Sequence, residues 1–267
     1  MVRPPAVAGT WYPGTAQGLA SMIQGFLDAP LEPQKTLLAV SPHAGYVYSG
    51  AVAAKVLSKV KIPRKVVVAG VNHRGVGSPV AVMTQGAWET PLGQVNLDSE
   101  LGGELLDRCA LVIDDPQAHQ YEHSLEMQVP FLQYFQNDLL LTPLALSYLS
   151  YEQCLELGQA LAESISAQPE PVLMVASTDM THHEPAEAAK EKDMKAIERI
   201  LALDPRGLFD TVRKLGITMC GVLPTTVCLV AAKELGAKAA KLVAYTNSGE
   251  VTGDFREVVA YAGLIIT

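Results

Sequence analysis

The chain is poor in charge and in aromatic residues: 18% of its 267 residues are Asp, Glu, Lys or Arg, and 6% are Phe, Trp or Tyr. With a formal net charge of −8 and no run of Lys or Arg, it lacks the basic face that nucleic-acid binding requires, so no nucleic-acid partner is expected. No segment approaches the roughly 18 consecutive apolar residues needed to cross a bilayer. The richest stretch, Leu139 to Leu149, is broken by Thr142 and Pro143. The opening MVRPPAVAGTWYPG lacks the unbroken apolar core of a signal peptide. No membrane association is expected, and the chain reads as a soluble, cytoplasmic protein. Cys109, Cys154, Cys220 and Cys228 form no CxxC pair and no dense disulfide framework, so they read as reduced thiols. Walker A, GxSxG and HExxH patterns are absent, and the glycines of VNHRGVGS are wrongly spaced for GxGxxG. These gaps exclude the P-loop, the serine-hydrolase elbow, the zincin helix and the dinucleotide fingerprint.

What is present is apolar sequence in a telling arrangement. Residues of the Ala, Val, Ile, Leu, Met, Phe, Trp, Tyr and Cys types make up 49% of the chain, enough for a substantial core. Thr15 can cap a helix whose positions Leu19, Met22, Ile23, Phe26 and Leu27 follow the 3.6-residue period, with Pro30 and Pro33 closing it off. Short continuous apolar runs at Leu37–Val40, Lys65–Gly70, Leu139–Leu146 and Pro171–Ser177 have the length of buried strands. Helix-like segments alternate with them: AVAAKVLSKV, Asp98 to Arg108, SLEMQVPFLQYF, a stretch opened by the Ser150/Gln153 capping box, and Pro224 to Leu235. Pro79 to Met83 and Leu111 to Ile113 read as short strands, Gly86 to Leu97 as a hairpin arm, and Leu242–Thr246 and Glu257–Ile266 as closing strands. The pattern predicts an α/β fold with a mostly parallel sheet covered by helices on both faces. Nothing resembles a linker or repeat, so residues 1–267 read as a single domain.

Three of the buried strands end alike. His43 follows the first, His73 the second, and the group Asp179, His182 and His183 the strand at 171–177. Right-handed crossovers put such ends on one side of a sheet, where open α/β folds bind ligands. If the strands are neighbours, their polar groups converge on one cleft. Cys220 precedes a helix in which Pro224 suits the first turn, and the positive end of that helix favours thiolate. Two neutral imidazoles and a thiolate match the preferences of iron, copper or zinc and leave coordination positions open. His182 or His183 can then serve as a base, with Asp179 fixing its tautomer. His123 and Glu126, in or beside the EHSLEMQ segment, either cap and fix a loop or line the same cleft, and His119 is the remaining histidine.

With these residues in view, the chain resembles the Memo family, also described as component B of the AmmeMemoRadiSam system. The similarity runs from VAGTWYPG through SPHAGYVYSG, VNHRG, WETPLGQV, EHSLEMQVPFL, STDMTHHE and MCGVLPTT to VVAYAG. The resemblance implies a fold related to the class III extradiol dioxygenases, which hold non-haem iron(II) with two histidines and a glutamate. Carried over, His43, His73 and Cys220 match the metal-ligand positions, the cysteine standing where the dioxygenases have glutamate, and His182 matches the acid/base histidine with Asp179 beside it. Arg74 follows His73 where the family often has a second histidine, which implies a more cationic pocket. By resemblance the partners are an AMMECR-type protein and a radical SAM enzyme, although this chain has no CxxxCxxC of its own.

Three functions compete at this level. The first is a mononuclear redox or dioxygenase-like enzyme using iron(II) or copper, with zinc a further possible occupant of the site. The second is a vestigial pocket that binds a peptide or a partner protein of the same system. The third is a thiol hydrolase with Cys220 as nucleophile, His182 as base and Asp179 as orienter.

Overall fold

The computed structural model of the protein describes residues 1–28 and 32–267. The chain-breaking Pro30 lies outside the described residues, whereas Thr15 caps the first helix as its sequence predicts, accepting the Gly18 N–H. In chain order the first elements are β1 (Val2–Arg3), α1 (Ala16–Gly25), β2 (Leu38–Ser41), α2 (Tyr46–Leu57), β3 (Lys65–Val71), β4 (Val80–Val82), β5 (Ala87–Thr90) and β6 (Gly93–Leu97). Next come α3 (Ser99–Arg108), β7 (Ile113–Asp114), α4 (Val129–Phe135), β8 (Leu140–Leu146), α5 (Tyr151–Ser166), β9 (Val172–Ser177) and β10 (His182–Glu184). The chain closes with α6 (Ala186–Leu201), α7 (Pro205–Leu215), α8 (Val222–Glu234), β11 (Ala240–Asn247), α9 (Gly249–Thr252) and β12 (Val258–Ile266).

The sheet is mixed and mostly parallel through its centre. Strands run in the order β1-β5-β6-β8-β3-β9-β2-β12-β10, with β11 paired to β12 and β4 to β8. The β6–β8, β8–β3, β3–β9 and β9–β2 pairs are parallel; β12 turns the direction and runs antiparallel to β2, β10 and β11. The β5–β6 arm is the expected antiparallel hairpin. Because successive side chains of a strand face opposite ways, each central strand feeds two cores. Val67, Ala69, Met174 and Ala176 pack under α3, α5, α6, α7 and α8, while Val66, Val68, Leu173 and Val175 pack under α1, α2 and α4. Both faces are therefore dry, which is why these strands read as unbroken apolar runs.

Two boundaries depart from the sequence reading in the region of the site. The helix after His43 starts at Tyr46, five residues before AVAAKVLSKV. Tyr46 is anchored by its N–H to the Trp11 carbonyl and by its hydroxyl to the Met127 carbonyl, so the first turn forms directly beyond the histidine loop. In SLEMQVPFLQYF only Val129–Phe135 is α-helical; Glu126–Gln128 is a tighter 3₁₀ turn. Pro130, with no N–H to donate, suits the start of the α-helix and not its interior.

Candidate metal centre

Strand order places β3, β9 and β2 side by side, with Ser41 registered on Ser177. The loops that follow these parallel strands therefore leave the sheet together. From them His43 and His73 meet, with ring centroids 5.3 Å apart. His123 arrives from the loop after β7 and stacks on His73 at 4.6 Å. One nitrogen from each of His43, His73 and His123 lies within 4.8 Å of the others. This trio can hold a metal ion. His43 is buried, His123 partly buried and His73 exposed.

The loop carrying His123 reaches the sheet because position 70 is glycine. A Cβ there would lie 2.7 Å from Ser124 Oγ and 2.8 Å from a Leu125 methyl carbon. That loop then supplies the His73 ring with its partner. Glu122, fully buried, accepts Nδ1–H and N–H of His73 at 2.9 and 2.6 Å. It also accepts the N–H groups of His123 and Ser124 at 2.9 and 2.8 Å. Burial opposes charge on Glu122, but the His73 hydrogen bond and the other donors outweigh it and bring its carboxyl down to about 2.

The His43 tautomer follows from counting protons. Ser177 Oγ donates its single proton to the Ser124 carbonyl at 2.6 Å and accepts from Gln128 Nε2 at 2.8 Å. The third contact of that oxygen, His43 Nδ1 at 3.0 Å, must therefore be Nδ1–H donating to it. His73 likewise spends Nδ1–H on Glu122. In each ring Nδ1 is thus committed to an orienting partner, which leaves Nε2 as the nitrogen available to a metal. Burial and the facing imidazoles push His43 and His123 down to about 3, so both are neutral at physiological pH. The exposed Arg74 is not part of the cavity wall, yet its charge also disfavours protonation of His123. Two neutral imidazoles beside a third whose Nδ1 is held by Glu122 fit a divalent first-row ion.

Cys220 lies beside the trio. Its Sγ is 3.3 Å from His43 Nε2, although the two residues are 177 positions apart, and it accepts the Asp179 N–H at 3.2 Å. Gly221 permits this approach, since a Cβ there would meet the Ser177 carbonyl oxygen at 2.5 Å. The expected thiolate is not favoured without a cation beside it. Burial and the Asp179 carboxylate push the thiol up to about 12, outweighing the start of α8.

The other candidate residues divide. His182 and Asp179 both line an open cleft of about 580 Å³ with His43, His73 and His123, shared with Trp11, Tyr48, Val259 and Tyr261. Asp179, however, does not orient His182: its carboxylate accepts the His43 N–H at 2.8 Å, and burial raises its pKa to about 6. His182 Nδ1 instead donates to the Thr218 carbonyl at 3.0 Å, which leaves Nε2 free. His183 is exposed and outside the cavity wall. Glu126, expected in the cleft or fixing its loop, is not on the cavity wall; its carboxylate binds Arg3 at 2.6 Å and the Tyr12 hydroxyl at 2.7 Å. Glu122 escaped the sequence reading. It stands inside the polar loop DDPQAHQYEHS, next to His123, and only its fold partners distinguish it from a solvated acid.

A cleft of this form, at the carboxyl ends of parallel strands and lined by convergent histidines, defines an α/β protein with a candidate metal centre. The model of the Memo-like protein family matches residues 3–265, and the chain belongs to that family. A MEMO1 family protein of Methanopyrus kandleri is 42% identical to it, covering 99% of each chain. One from Aquifex aeolicus is also 42% identical, covering 99% of this chain and 98% of its own. The crystal structure of an uncharacterized protein from Escherichia coli K12 superposes with a TM-score of 0.55 at 14% identity, covering 85% of this chain and 99% of that one, and shares the fold. No helix among the described residues is long and apolar enough to cross a membrane.

Proposed function

We propose that the protein is a mononuclear, metal-dependent redox enzyme of dioxygenase-like type, with iron(II) as its metal and copper or zinc as the competing ions. The observation that carries this reading is the convergence of three ring nitrogens, with Nδ1 of His43 and of His73 each committed to a partner behind the ring. His43 and His73 are the shared ligands. His123 is the third donor in the present arrangement, and Cys220, in contact with His43, is the alternative third donor that the family resemblance favours. When bound, the metal supplies a redox-active Lewis acid with open coordination positions.

The remaining roles belong to the chain's own groups. His182, its Nδ1–H committed to the Thr218 carbonyl, can accept or return a proton at Nε2 inside the cavity. Asp179 fixes the His43 backbone, and through its N–H it also holds Cys220. Trp11, Tyr48, Val259 and Tyr261 shape the space a substrate would fill.

Anaerobically purified protein is expected to carry about one metal ion per chain, the number of ions one donor cluster holds. His43→Ala should abolish loading, and comparing His123→Ala with Cys220→Ala should identify the third donor. Full occupancy in a His43→Ala, Cys220→Ala double variant would end this reading.

The hydrolase reading with His182 as base and Asp179 as orienter loses support, because Cys220 contacts His43 and not His182 and burial pushes its thiol up to about 12. A binding role draws support from the exposed apolar rim formed by Trp11, Val47 and Tyr48 at the cavity. Capture of an AMMECR-type or radical SAM partner by metal-free protein, lost when Val47 and Tyr48 are made polar, would favour that role over catalysis.

A further inference from the structure

Arg3 lies outside the cavity wall and is only 4% exposed, and each of its three guanidinium nitrogens donates to the segment that bears Glu122 and His123, Nη1 also reaching the Pro4 carbonyl at 3.4 Å. Nε donates to the His119 carbonyl at 2.6 Å and Nη2 to the Glu122 carbonyl at 2.7 Å. Nη1 binds the Glu126 carboxylate at 2.6 Å. The guanidinium plane is held from behind, with Cζ 4.2 Å from the Trp88 ring centroid on β5, the strand to which β1 is paired.

The geometry points to a purpose for this arrangement. Residues 120–125 are irregular and lie between two short 3₁₀ turns, so this stretch has no ladder or long helix to hold its carbonyls in place, and buried carbonyls need donors. The rigid fork of arginine supplies donors to two of them and to one carboxylate at once, which a lysine ammonium on a flexible stem cannot reproduce. One of those carbonyls belongs to Glu122, whose side chain orients His73 and whose neighbour is His123. From the same end of the chain, Glu126 also accepts the N–H groups of Ala6 and Val7, and the Trp11 ring lies 4.3 Å from the His123 ring. The N-terminal strand is thus fastened to the back of the site loop at one point and to its front at another.

We infer that Arg3 is a positioning residue of the metal centre, acting through Glu122 and His123; this rests on the metal reading above. It touches no candidate ligand side chain, and its effect is on the aim of groups that do.

The test uses the full chain, cobalt(II) as the probe, and two variants. Arg3→Lys keeps the charge for Glu126 but not the fork, so it remains informative should Arg3→Met fail to fold. Amide hydrogen exchange of the metal-free protein is expected to speed up at His123 and Ser124 in either variant while Val67 and Val175 keep their protection. Cobalt affinity should fall by about tenfold to a hundredfold, as for other outer partners of metal ligands. Val227→Ala, a buried change in α8 remote from the loop, should lower stability without changing cobalt affinity, which separates positioning from general weakening. His43→Ala should abolish binding and so locate the probe. If the wild type binds cobalt and Arg3→Lys binds it equally well, this inference fails alone, whatever the exchange data show. A wild type that takes up no cobalt fails the metal reading and this inference together.

Discussion

Glu122 and Glu126 stand in one loop, one helical turn's spacing apart, and both are fully buried. Each carboxylate accepts hydrogen bonds from four donors. For Glu126 these are Arg3, the N–H groups of Ala6 and Val7, and the Tyr12 hydroxyl, all from the N-terminal segment. For Glu122 they are the ring and backbone N–H of His73 and the N–H groups of His123 and Ser124. Burial and satisfaction are thus the same, and what differs is who owns the donors. A carboxylate that binds a guanidinium and a strand edge fastens one segment to another. A carboxylate that binds the back of an imidazole sets which nitrogen of that ring faces the cleft. The lesson is that charge state and burial do not mark a functional acid; the residue on the other end of the hydrogen bond does.

Breaking the Glu126 half should give the largest effect on folding. Glu126→Gln leaves the Arg3 charge buried without its counter-charge, a loss of about 3–5 kcal/mol in comparable cases. Urea denaturation followed by circular dichroism would measure it, and a change below about 1 kcal/mol, the worth of an exposed pair, would show that the pair is not acting as a buried one.

The Glu122 half should respond in the opposite proportion. Glu122→Gln replaces an oxygen that accepts from several N–H groups with an NH₂ that cannot accept, and it weakens the restraint on the His73 tautomer. Metal affinity is expected to drop by about tenfold to a hundredfold, with a smaller stability loss of about 1–3 kcal/mol. The same residue also sets an acid limit. Its pKa is depressed from 4.5 to about 2, so its contribution is complete above 4.5 and is lost as pH falls toward 2. Equal stability losses in Glu122→Gln and Glu126→Gln, with unchanged metal affinity in the former, would erase the distinction between the two acids.

The sequence carried the sheet well and the site unevenly, and the difference has a physical cause. Apolar runs such as KVVVAG and PVLMVAS are dictated by burial on both faces, so strand identity and the common exit of His43 and His73 follow from pattern alone. The Ser150/Gln153 capping box is local chemistry and forms as written. By contrast, the roles of Glu122, Glu126 and Thr218 depend on groups dozens to more than a hundred residues away. No local pattern says that Arg3 will meet Glu126, or that the Thr218 carbonyl will take the place expected of Asp179 behind His182. Likewise, Gly70 and Gly221 are informative only once the loops that press against them are known.

The smallest expected effect comes from a second pair in the same loop, His119 and His123. Both rings are held below their ordinary pKa, His119 to about 4 by burial and the nearby Arg3 charge, and His123 to about 3 by burial and the facing His43. The unfolded chain takes up these protons near pH 6.5, whereas the folded chain resists until about pH 4 or 3, so stability falls as pH drops through that interval. The slope is at most about 1.4 kcal/mol per pH unit for each group. His119 differs from His123 in packing against Trp88, away from the metal candidates. His119→Leu should therefore flatten the acid dependence by one group's share while retaining the backbone carbonyl that Arg3 uses. At neutral pH it should leave cobalt affinity unchanged. A denaturation series from pH 7 to 4.5, paired with one cobalt titration, would decide the matter. A fall in affinity as large as that of Glu122→Gln would place His119 with the site and not with the packing behind it.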